Sequence, residues 1–290
     1  ATITGTINGL ATTEGTITVS GTNKTFASII GGTNSVSLIT NSAATTTFNN
    51  AVRATTIDQT GTTATILFNR TGTVTTDDIT IAANITDNAT TATIQVINSN
   101  ASLNAAPPVV TFSGTVAADI ITIGSTTNAG AAKFTGSSGV TVTTIIITGA
   151  DNASEVSTAT FERALSGTTV TLDDNTAIAK IIFSGNNTVN ITPIIRGAGA
   201  GEGTLHVTGT GKTFKNGQGS YNALSEITVD YATAFDNTTV EIKATTINVN
   251  ANTTFSHGVT ATTINNAATI LFNRTGGAVT VAGNIVDSGN

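Results

Sequence analysis

The eleven phenylalanines of this 290-residue chain recur at nearly even spacing. They stand at positions 26, 48, 68, 112, 134, 161, 183, 214, 235, 255 and 272, with gaps of 22, 20, 44, 22, 27, 22, 31, 21, 20 and 17 residues. Most gaps lie near 21, and the gap of 44 reads as two such periods. Many of these rings open one phrase: a Phe, a few small or polar residues, then an alternating β-branched run. FNNAVRATTI from Phe48 and FSGTVAADIITI from Phe112 are examples. Alternate side chains of a strand point to opposite faces. A unit of roughly 20 residues with two or three short strands cannot bury its own apolar face, but it can when stacked on like units about 4.8 Å apart. The expected fold is all-β: a right-handed parallel β-helix (β-solenoid) with coils of about 20–22 residues and Phe stacked on Phe. About fourteen coils would make a rod on the order of 65 Å long. A β-sandwich is the competing all-β fold, but it does not require one register along the whole chain.

A larger repeat lies over the small one. GTITVSGTNKTF at 15–26 matches GTLHVTGTGKTF at 203–214, an offset of 188, and INGLATTEG at 7–15 matches IRGAGAGEG at 195–203 at the same offset. TTFNNAVRATTI at 46–57 matches TTFSHGVTATTI at 253–264, an offset of 207. ATILFNRTG occurs word for word at 64–72 and 268–276, an offset of 204, and Asn84, Ile85 and Asp87 match Asn284, Ile285 and Asp287 at 200. Matches in one order identify segment 1–87 as duplicated in 189–287. The organisation expected is a single continuous solenoid over 1–290: copy A at 1–87, intervening coils at 88–188, and copy B at 189–287. The variable offsets of 207, 204 and 200 read as small insertions at corners, with Asp58–Thr63 and Thr73–Asp78 as two such places. Residues 98–108 end in Pro107-Pro108, which cannot both donate to a central ladder, and are expected to form a loop or lateral protrusion.

Composition agrees with a folded β chain. Charged residues are 10% and aromatics 4%, with no Cys, Met or Trp. A disordered chain would lack the Ile, Val and Thr that fill this one. The net charge of −6 and the singly scattered Lys and Arg leave no basic stripe to follow a phosphate backbone, so nucleic acid is not an expected partner. No stretch approaches 18 apolar residues, so no helical membrane span is expected. Cysteine avoidance fits a secreted bacterial protein that must stay unfolded during export. The chain opens at Ala1 without a basic-then-apolar leader, read as a signal peptide removed or left out.

A polysaccharide-active enzyme also fits a β-helix, and it needs clustered acidic and basic groups or two spaced carboxylates. The adjacent acidic pairs are Asp77-Asp78 and Asp173-Asp174, each in a Thr-rich segment that reads as a solvated turn. His206 and His257 stand where the other copy has Thr18 and Asn50, which argues against a base or ligand role. GAGAGEG at 197–203 leads into no helix, and its twin lacks the middle glycines, so it is a poor phosphate cradle. No catalytic, cofactor-binding or metal-binding residue is assigned. The Asn-x-Ser/Thr sequons follow from composition. LFNRT at 67–71 and 271–275 brings in an Arg that can pair with an acidic corner or a neighbouring chain, although a recent duplication also accounts for the shared word.

GEGTLHVTGTGKTF, TTFNNAVRATTI and ATILFNRTG, on their Thr/Asn/Ala/Gly background, resemble passenger regions of rickettsial surface-antigen autotransporters, of the outer membrane protein B type. The resemblance implies a secreted, right-handed β-helical passenger outside the outer membrane of a Gram-negative bacterium, acting as adhesin and surface-layer component. The family's translocator barrel is not visible in these residues, which would make the chain a passenger fragment. The expected partners are like chains, packed laterally or end to end, and a host-cell surface receptor. The alternatives are a self-assembling extracellular filament or surface-layer subunit, the polysaccharide-active enzyme, and an ice-binding solenoid. The last is ranked lowest, because Thr-x-Thr does not recur at one place in every coil.

Overall fold

The computed structural model describes all residues except 71–77, 100–106, 154, 238–239, 275–278 and 289–290. Its strands form one hydrogen-bonded, entirely parallel sheet that winds as a β-solenoid. Each coil contributes three short strands, so the coil has three faces. On the first face the inward register runs Ile3, Phe26, Phe48, Phe68, Val96, Ile123, Ile147, Leu172. On the second it runs Ile7, Ile30, Val52, Ile81, Phe112, Phe134, Phe161, Phe183, Val207, Val229, Val249, Asn266, Asp287. On the third it runs Ile17, Ile39, Ile57, Ile85, Val116, Val140, Leu165, Ile191, Phe214, Phe235, Phe255, Phe272. Thirteen levels on the second face correspond to a stack of about 58 Å at about 4.8 Å per level.

The phenylalanines form one continuous line, but not on one face. Phe26, Phe48 and Phe68 stack on the first face, Phe112 to Phe183 on the second, and Phe214 to Phe272 on the third. At each change of face the rings meet edge-on: Phe68 and Phe112 at 5.2 Å and 83°, Phe183 and Phe214 at 5.2 Å and 90°. The gap of 44 is therefore not two periods with a ring missing. It is one coil plus the step to the next face, and the gap of 31 marks the other step. Both stacked and edge-on contacts are favourable for aromatic quadrupoles, so the line can turn without losing ring contact.

The glycines that stand two residues after Phe112 and Phe134 have a steric reason. The chain turns the corner after Phe112 so tightly that a Cβ on Gly114 would lie 2.0 Å from the carbonyl oxygen of Ala83 in the coil before, and one on Gly136 would meet Gly114 at the same distance. Only glycine lets coils approach this closely at the bend.

The duplicated segments occupy different faces. Phe26 lies on the first face and its counterpart Phe214 on the third; Val52 and Val259 lie on the second and first, Ile57 and Ile264 on the third and second. Copy B is thus copy A turned by one face about the axis. It carries the same details. Glu14 accepts from Ala11 N and Glu202 from Gly199 N, while Asn34 and Asn222 each donate to two carbonyls of the matching loop. The ladder irregularity at Arg53/Thr56 recurs at Thr260/Thr263.

The offset jump from 188 to 207 is not a small corner insertion. In copy A the strand Val36–Asn41 leads directly to Thr46–Phe48. In copy B, Leu224–Val229 is followed by Thr233–Phe235 and Ile242–Val249 before Thr253–Phe255. Those 19 extra residues are one whole coil. Nor is Asp58–Thr63 simply a corner, because Asp58–Gly61 continue the strand Val52–Gly61 in register with Thr86–Ala89. Of the other expected insertion, Thr73–Asp77 lies outside the described residues. So does most of the expected loop. At its edges Asn98 N donates to Ala129 O at 2.7 Å and Ser99 N to Arg70 O at 2.9 Å, and Pro107-Pro108 are buried just before the strand Val109–Phe112.

Candidate functional site

The polar residues singled out in the sequence mostly hold coils together. Asp77 lies outside the described residues; Asp78 is exposed, and its carboxylate accepts from Val109 N at 2.7 Å in the next coil. Asp174 accepts from Ala179 N at 2.8 Å and from Gly203 N at 2.7 Å, and Asp173 from Asn175 N at 3.3 Å. Asp78, Asp173 and Asp174 are thus occupied by backbone amides at corners. In the stretch 197–203, Gly199 N is taken by Glu202 and Gly201 N by Ala223 O, so these amides do not converge on an open anion site. Of the repeated arginines, Arg70 is buried and donates to Asn49 O at 2.5 Å, whereas Arg274 lines a cleft.

His206 Nε2 lies 2.6 Å from Asp230 Oδ2, and Asn250 donates to Asp230 Oδ1 at 2.8 Å. Burial alone would raise the Asp230 carboxyl, but the Asn250 amide and His206 outweigh it and hold it below the ordinary aspartate value. Asp87 moves the other way, raised by burial and then by Asp119 in the adjacent coil.

Lys212 is the one described lysine that is buried. Its ammonium donates to the carbonyls of Gly185 at 2.8 Å, Asn187 at 3.1 Å and Thr210 at 3.1 Å. Burial pushes its pKa below the usual lysine value, with the Arg163 charge adding and Glu162 opposing. Its counterpart Lys24 is half-buried and donates to Thr22 O. This is a corner clamp, not a reactive amine.

Charge gathers in one cleft of about 350 Å³, lined by Ser220, Val240, Glu241, Lys243, His257, Gly258, Arg274 and Thr280. Glu241 and Lys243 flank Ile242, an inward residue at the start of the strand Ile242–Val249, and alternation along the strand turns both outward. Lys243 Nζ lies 2.7 Å from Glu241 Oε1, and Thr260 donates to Oε2 at 2.8 Å. These bonds, Lys243 first, hold Glu241 below the ordinary glutamate value, so it remains a carboxylate. His257 Nδ1 accepts from Gly258 N at 2.7 Å, which leaves Nε2 as the protonated nitrogen of the neutral ring. The Ser220 hydroxyl is shielded from solvent and has no hydrogen-bond partner among the described residues. Sequence comparison of the copies set His257 aside because Asn50 stands at its place. The informative signal was the jump in offset, because the extra coil supplies Glu241 and Lys243.

Among the described residues no three His, Cys, Asp or Glu side chains are placed to hold a metal ion, and no helix is long and apolar enough to cross a membrane. Family models, curated proteins and solved structures were each compared with the chain, and none matches.

Proposed function

We propose that this chain is a structural rod of a bacterial cell surface, a β-helical passenger of the autotransporter kind acting as coat component or adhesin. The observation that carries the reading is the unbroken parallel stack from Ile7 to Asp287, which places every described coil on one axis. Such a stack gives length and stiffness from short repeats and a long lateral surface for display. The outward residues are largely Thr, Ser and Asn, suited to a solvated coat. Asp78, Asp174 and His206 are engaged in inter-coil contacts, which favours a structural role over hydrolysis. The resemblance of the repeat phrases to rickettsial passengers supplies the Gram-negative, extracellular setting.

The experiment is localisation on the producing cell. Membrane-impermeant biotin and immunogold labelling should mark the chain on intact cells, and external protease should remove it. Labelling only after the cells are broken open overturns the reading. A self-assembling filament or surface-layer subunit is the second reading. In it, stacked coils of separate chains would pair strand to strand along one axis.

A further inference from the structure

We propose that the first face of the solenoid binds crystalline ice through a rigid, charge-free array of threonine and β-branched side chains. Through five successive coils the outward residues of this face fall into two columns. One runs Thr65, Thr93, Ile120, Thr144, Thr169, and the other, two residues along, runs Leu67, Gln95, Thr122, Ile146, Thr171. Each is partly exposed between buried neighbours, and no register shift interrupts the ladder. Below them the second column continues as Thr47, Thr25 and Thr2. Thr-x-Thr itself stands in one of these coils, at Thr169 and Thr171. The ladder shows that the place asks for less. Ile120 and Ile146 put a Cγ2 methyl where threonine puts its own, and Leu67 and Gln95 are the two departures.

Charge lies on the other faces. The second turns Lys133, Lys180, His206 and Glu226 outward, and the third Asp58, Lys215 and Asp236. Ice selects a surface without such groups, because an ion orients water around itself and breaks a lattice match. Side chains on successive coils sit about 4.8 Å apart and the two columns about 6.6 Å apart. These repeats are close to those of water oxygens on the prism face of hexagonal ice. β-Branched side chains are stiff at χ1, so the array is set before water meets it. Threonine hydroxyls can hydrogen-bond the first water layer, while the methyls between them leave that layer to its own tetrahedral order. A second copy of the chain is the competing occupant, and the strip is too small for it. It measures about 35 Å by about 10 Å, well below the roughly 800 Å² per partner of a stable interface.

The inference does not rest on the cell-surface reading, since the purified chain tests it and failed surface labelling would leave it standing. Fluorescently labelled chain should concentrate in a slowly growing ice hemisphere that rejects labelled serum albumin. Nanolitre osmometry should show a gap between melting and freezing points, with faceted crystals. Thr144→Lys, which sets a charge in the middle of the strip, should abolish both effects. Thr122→Lys in the adjacent coil serves if that variant folds poorly. Thr160→Lys, outward on the second face beside Lys133, should behave as the parent does. Rejection of the chain from ice along with albumin, undiminished activity in both first-face variants, or an equal loss in Thr160→Lys each overturns the proposal. So does a dimer of the parent in sedimentation equilibrium that Thr144→Lys dissolves, which would assign the strip to a second copy.

Discussion

At the residue scale the fold rests on ring-to-ring contact and on a few polar clamps. Phe161 sits 4.7 Å from Phe134 at 7° and 5.7 Å from Phe183 at 25°, fully inside the coil. Phe161→Ala should cost about 3–5 kcal/mol, read in urea unfolding with hydrogen exchange to localise the loss to neighbouring coils. Lys212→Met leaves three carbonyls without their donor and should cost about 1–3 kcal/mol, whereas Lys24→Met in the half-buried counterpart should be nearly neutral. Paired thermal melts compare the two directly. Asp230, held below the ordinary aspartate value, contributes stability above the unfolded carboxylate range and loses it as pH falls through its depressed pKa. His206→Ala removes one cause of that depression, so less stability is contributed above that range and its loss is complete at a higher pH. An acid titration followed by circular dichroism reads this as an upward shift of the midpoint.

At the scale of the element, one coil is the unit that evolution has copied and added. Deleting the 19 residues Tyr231–Val249 joins Asp230 to Asn250 and restores the spacing of copy A, where Asn41 lies seven residues before Phe48. The shortened chain should fold with an unchanged circular dichroism spectrum per residue, and it should lose the cleft. Much of this was legible in the chain. Phenylalanine spacing and β-branched alternation gave stacked parallel coils, because a ladder repeats its register at every level. The face that each ring occupies was not legible. All three faces require the same alternation of apolar and polar residues, so nothing local in FSG or FNN says whether a Phe sits on the first face or the third. The cleft was hidden for a related reason: its residues lie on different coils, brought together only by the count of coils between them. Lys212 and Lys24 share the word KTF, and only the surrounding loops separate a buried cage from a surface contact.

For the whole molecule, the three faces are interchangeable supports, and copy B shows it by sitting one face round from copy A. A surface feature inherited by both copies therefore points in two directions about a third of a turn apart. The loops at 7–15 and 195–203, with the same glutamate and asparagine bonds, are such a pair. The ladder bonds also run along the rod, since each strand pairs with its equivalent one coil away. Tension on the two ends therefore peels coils one after another rather than shearing many bonds at once. Optical-tweezer extension should give a sawtooth with increments on the order of 70 Å, the contour length of about 22 residues. A single rip releasing the whole contour would contradict independent coils. A rod of this kind yields by lengthening, giving up one turn at low load while the remainder holds, so a pull on its two ends would meet a damped spring.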